Sequence, residues 1–160
     1  MALSGRTPVP LIAAVILLAT LLAYKLYAPK AEAIDMTLYP DDLQFVSEGK
    51  AVYEAQCASC HGVSLEGENN WRQRNADGLL PAPPHDETGH TWHHADAALF
   101  KLTKYGPQFV AGSDYKSNMP AFEGILTDRE ILAALSYIKS TWPEKIRQTH
   151  DEINKRTRTQ

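Results

Sequence analysis

Two thiols and an imidazole stand together at Cys57-Ala58-Ser59-Cys60-His61, and the chain of 160 residues holds no other cysteine. A disulfide framework is therefore excluded, because such domains need several cysteines spread along the chain. A thioredoxin-like dithiol asks for a βαβ setting, and no alternating strand pattern of useful length occurs. A zinc site survives only if a histidine of the 85–94 stretch supplies a fourth ligand. A structural dithiol in an exported protein tends to oxidise. The remaining chemistry is covalent attachment of a c-type haem. Each thiol forms a thioether with one vinyl group, and the next residue places its imidazole on the iron axis.

A second axial ligand must come from the opposite side. Met119 is the only methionine after the Cys-x-x-Cys-His motif, in Ser117-Asn118-Met119-Pro120-Ala121-Phe122. A thioether is a soft ligand that favours ferrous iron and raises the reduction potential. The plainer reading of Met119 is core packing. Four of the six histidines lie in His85-Asp86-Glu87-Thr88-Gly89-His90-Thr91-Trp92-His93-His94. On a helix His90, His93 and His94 would share a face, as copper or zinc ligands should. Gly89 and a helix start near His94 argue against that. The stretch then reads as haem surroundings: Thr91 or His94 caps the next helix, and Trp92 covers the haem edge with a donor for a propionate. Trp71, Arg72 and Arg74 are further propionate candidates, although a solvated loop with one buried Trp is the simpler reading. A histidine of this stretch in place of Met119 is the remaining possibility for the iron.

The elements that must position these groups are helical. Val9 to Tyr24 carries no charge, and with Lys25, Leu26 and Tyr27 the run reaches nineteen residues. At ~1.5 Å per residue it spans ~28 Å, near the ~30 Å hydrocarbon core, with the lysine amine snorkelling outward. Residues 9–27 thus read as a transmembrane anchor behind a short terminus, 1–8. The competing reading is a cleaved signal peptide ending at Ala31-Glu32-Ala33. Residues 28–46 read as a tether. A helix is expected from about 48 to 57, with Ser47 as a cap. Residues 62–90 read as loop, their three prolines between 81 and 84 leaving little room for helix. Residues 95–105 set Ala98, Leu99, Leu102 and Tyr105 on one face, stopped by Gly106-Pro107. Thr127 to Thr141 reads as a helix, with capping-box spacing to Glu130 and a stripe of Ile131, Leu132, Leu135 and Ile138. Pro143 ends it or opens a tail helix. The expectation is an all-α domain over 47–143 and a charged tail over 144–160, solvated by default.

Net charge is −3, which excludes a strongly basic nucleic-acid binder. Residues 34–143 hold eight Lys and Arg against fifteen Asp and Glu, while 144–160 is basic. Such an acidic body suits steered encounter with a basic partner, or only solubility.

From about Gly49 to Trp142 the chain resembles the class I cytochrome c domain. GKAVYEAQCASCHG is similar to that family's first helix and haem motif, NMP to its methionine ligand loop, and LTDREILAALSYIKSTWP to its closing helix. The resemblance implies one haem c bound through Cys57 and Cys60, with His61 and Met119 on the iron. It implies crossing terminal helices at Gly49, Tyr53 and Tyr137. It also implies a proline carbonyl, Pro83 or Pro84, against the His61 imidazole. The implied function is one-electron transfer by a carrier rather than an enzyme, in a domain facing the bacterial periplasm. Its partners would be a donor complex and a terminal oxidase or reductase of the respiratory chain. Two other readings compete: a copper-responsive or metal-handling haem module using the 85–94 stretch, and haem catalysis such as peroxidase activity, which needs an open iron position.

Overall fold

The structure is a computed structural model that describes residues 9–27 and 34–159, with side chains from residue 13 of the first segment. The chain divides into two units after Asp35. In the first, α1 (Val9–Tyr27) carries a single charge, Lys25, in its last turn. Val15, Ile16, Leu17, Leu18, Leu21 and Leu22 are all exposed. Among the described residues no helix is long and apolar enough to cross a membrane. Residues 1–8 and the cleavage-like Ala31-Glu32-Ala33 lie outside the described residues.

The second unit starts at Met36, eleven residues before Ser47, so the compact unit takes in chain upstream of the expected domain start. Its first helix, α2 (Leu43–Gln56), begins at Asp42, whose carboxylate accepts from the Phe45 N–H at 3.0 Å. Ser47 therefore lies inside the helix, and much of the expected tether is folded chain. Leu38 and Phe45 are core residues. The Leu38 N–H donates to Asp96 and the Tyr39 N–H to Ser136, at 3.1 and 3.0 Å. Composition hides this because two isolated apolar side chains and two backbone donors, with no period, do the holding.

A single turn, α3 (Ala58–His61), follows α2; α4 (Asp96–Tyr105), α5 (Pro107–Ala111) and α6 (Asp128–Ser140) come after a long loop. Helix α6 matches its pattern. Thr127 accepts from the Glu130 N–H while Glu130 accepts from the Thr127 N–H, and Ile131, Leu132, Leu135 and Ile138 are buried. It crosses α2 at Gly49, where a Cβ would overlap the Ala133 carbonyl. Tyr53 and Tyr137 pack at 5.5 Å between ring centroids beside that crossing. In α4 the buried apolar residues are Leu99 and Phe100, while Ala98 is exposed; the larger apolar area of Phe100 rotates the helix away from the expected stripe. Neither Thr91 nor His94 caps α4, whose N-cap is Ala95. Helix α5 is too short to show a period, although Pro107 at its first position suits a helix start.

The tail forms α7 (Glu144–Arg158), and it is packed rather than solvated. His150 and Asn154 are buried against the start of α4. Asn154 donates to Asp96 at 2.9 Å and accepts from the Asp96 N–H at 2.8 Å. His150 Nε2–H donates to the His94 carbonyl at 2.9 Å. Alternating charge in the sequence conceals these two inward polar positions, one helical turn apart. Among the described residues there is no strand, only an isolated bridge between Glu123 and Leu126.

Candidate haem site

Cys57 ends α2, donating its N–H to the Tyr53 carbonyl, and the His61 N–H returns to the Cys57 carbonyl at 2.9 Å in each case. The motif is thus one helical turn, in which residues three and four apart share a side. Both cysteines are free, Cys60 exposed and Cys57 half-buried. Burial, and then the neighbouring Cys60, push the Cys57 thiol up to about 11. Gly62, at φ +82, breaks the turn, and its carbonyl accepts from the Tyr53 hydroxyl at 2.7 Å.

His61 is buried. Its Nδ1 lies 2.9 Å from the Pro83 carbonyl. A carbonyl only accepts, so Nδ1 carries the proton and Nε2 keeps its lone pair. Pro83, rather than Pro84, faces the ring because two loops are stitched together around it. Glu68 N–H donates to the Ala82 carbonyl at 2.8 Å, and Ala82 N–H donates to the Glu68 carboxylate at 2.6 Å. Beyond the prolines, His85 N–H donates to the Leu65 carbonyl at 2.8 Å. Gly67, at φ +67, lies so close to Pro83 and Pro84 that a Cβ would overlap their backbone. Pro84 instead turns its carbonyl toward Thr91. Burial, the largest influence, lowers the His61 pKa, against the opposing Pro83 hydrogen bond.

Met119 is partly buried against the core, its N–H donating to the Ser117 hydroxyl at 3.1 Å. The chain after it is held by buried Phe122, whose N–H donates to the Thr103 carbonyl at 3.2 Å.

The histidine stretch does not bring its three ligand candidates into one set. Thr91–His93 is a 3-10 turn rather than an α-helix, and the His90 ring meets His94 edge to face at 5.3 Å. His93 stacks on Trp92 at 3.6 Å, whereas His90 lies parallel to Trp71 at 5.5 Å. Among the described residues no three His, Cys, Asp or Glu side chains are grouped to hold a metal ion. The three-histidine copper site is therefore not assembled. The Trp92 indole N–H donates to the Glu87 carbonyl at 3.3 Å, so its donor is engaged within the loop. Trp71 is only half-buried, with Arg72 stacked over it at 4.1 Å, and Arg74 donates to the Gly78 carbonyl.

One close neighbour of His61 leaves almost no mark in the sequence. The His85 ring stacks on it with centroids 4.0 Å apart. The only signal is its place directly after the two prolines.

Two free thiols on one turn, and an imidazole whose Nδ1 is engaged while Nε2 is not, fit a covalently held haem. An all-helical unit in which α2 and α6 cross beside such a turn defines a c-type cytochrome domain. The family model for cytochrome c matches residues 46–142, and the chain belongs to that family. Its cofactor is covalent haem c, with Cys57 and Cys60 at the attachment spacing, and its work is haem-based electron transfer to and from redox partners. The match ends before α7. No curated protein and no solved structure matches the chain.

Proposed function

We propose that this cytochrome c is a membrane-anchored one-electron carrier with His61 and Met119 as axial ligands. It works on the periplasmic face of a bacterial inner membrane, between a donor complex and a terminal oxidase or reductase. The observation that carries the ligand assignment is the 2.9 Å hydrogen bond from His61 Nδ1 to the Pro83 carbonyl, which leaves Nε2 for iron. The haem supplies a couple between ferrous and ferric iron. The protein's part is to hold both ligands through that change, so that little reorganises. Pro83 orients the imidazole and makes it a stronger donor. Pro120 follows Met119 directly and stiffens the loop without adding a backbone donor.

The uncharged run Val9–Tyr24 supports the anchor. Haem c is attached outside the cytoplasmic membrane, which supports the periplasmic orientation. An anchor raises the effective concentration of the domain near membrane partners.

A redox titration of the full-length holoprotein beside Met119→Ala, followed by visible absorption, tests the ligand pair. The expected result is a low-spin spectrum and a clearly positive potential, both lost in the variant. A low potential untouched by the substitution would put a histidine on the iron. A high-spin native spectrum would mean an open iron position and would favour catalysis.

A further inference from the structure

We propose that His85 is a positioning residue for His61, setting the plane in which the imidazole meets the iron. The inference rests on the reading of His61 as an axial ligand. A single hydrogen bond from Nδ1 to Pro83 fixes one atom of the ring and leaves its plane free to rock about that bond. A flat partner against the ring face removes this freedom, and the two imidazoles are only 24° from parallel at 4.0 Å.

The partner is itself held. His85 Nδ1 shares a 2.8 Å hydrogen bond with the buried Thr91 hydroxyl. The His85 N–H is tied to Leu65, and its carbonyl accepts from the indole N–H of buried Trp142 at 2.7 Å. Tyr53 meets the ring edge-on at 6.4 Å. His85 is thus fixed at its backbone, its ring nitrogen and its ring edge, as a support for another residue must be. The plane of an axial imidazole decides how its π orbital overlaps the iron d orbitals, and this is read in the ferric spectrum.

Ferric electron paramagnetic resonance, haem-methyl proton shifts and the midpoint potential of the holoprotein would be compared with those of His85→Leu, His85→Phe and Thr91→Val. His85→Leu is expected to alter the g-values and the order of the methyl shifts. Its reduction equilibrium should change roughly tenfold, or ~59 mV for one electron. His85→Phe keeps a flat ring and should restore the native methyl pattern, which a merely space-filling role would not require. Thr91→Val frees the His85 ring and should move the same signals less far, in the same direction. A haem-loaded His85→Leu with native spectra and potential overturns the proposal. Should that variant not load, a native pattern in Thr91→Val overturns it instead. A native protein lacking imidazole hyperfine lines would sink the ligand assignment and this inference together, whereas those lines unaltered across all variants sink this inference alone.

Discussion

The two sides proposed to meet the iron are built differently. On the His61 side, loops 62–68 and 82–86 are stitched to each other and to the ligand. Gly67 N–H donates to the His61 carbonyl, Glu68 pairs with Ala82, and His85 with Leu65. On the Met119 side, residues 111–114 are exposed, as are Lys116, Asn118, Pro120 and Ala121. That loop is secured mainly at its ends, by the Gly112 N–H on the Gln108 carbonyl and by Phe122 on Thr103. Local stability follows the density of such cross-links. One side is a scaffold and the other a strap, so a perturbation of the pair should release the strap first.

The most severe way to break the scaffold is chemical. With Cys57→Ser and Cys60→Ser combined, no haem should stay with the polypeptide on acidic organic extraction, whereas Met119→Ala should retain all of it.

A matched pair of glycines sharpens the contrast. Gly67 and Gly112 both have positive φ, but a Cβ at Gly67 meets the Pro83–Pro84 backbone while one at Gly112 meets nothing within 4 Å. Gly112→Ala should cost ~1–3 kcal/mol of backbone strain alone. Gly67→Ala adds steric overlap and should exceed ~3 kcal/mol. Urea unfolding of both variants measures the difference, and equal losses would show that the stitched loops give way as easily as the strap.

Acid should weaken the packing of α7 on the start of α4, where His150 is buried. Burial, reinforced by Lys139, holds His150 below its ordinary 6.5, against the opposing pull of Asp96. Below about 6.5 the unfolded chain gains a proton that the folded His150 does not, so stability falls as pH drops from 7 toward the folded value. A fully excluded proton costs ~1.4 kcal/mol per pH unit. Melting midpoints at pH 7, 6 and 5 should therefore converge for His150→Gln relative to the native protein.

The smallest effect belongs to a site on neither loop. Thr127→Ala removes one half of the α6 capping box and should cost ~1 kcal/mol in urea unfolding, with the visible spectrum unchanged.

Features set by near neighbours in the chain are legible in the residue order. The α6 box joins residues three apart, and its stripe follows one helical period, so both are read directly. The α2–α6 crossing comes from the family resemblance rather than from spacing, and Gly49 against Ala133 fills that place. The features that sequence hides share one cause. Leu38, Phe45, Phe100, His150 and Asn154 are buried by partners far along the chain, and no local window contains those partners. Asp96 shows this best, since it joins Leu38 and Asn154, each 58 residues away. In the 85–94 stretch the spacing of His90, His93 and His94 admits a ligand set, and the fold does not gather one: His90 and His94 meet, while His93 stacks on Trp92.

The sequence by itself determined the attachment turn, the helices with regular period and the apolar run of α1, because each depends on spacing within a few residues. Only the tertiary structure decided that Pro83 rather than Pro84 faces His61, that His85 stacks beside it, and that the tail is part of the domain. Those outcomes depend on closing loops of 22 to 58 residues, and the geometry of a closed loop is set by everything it must pack against.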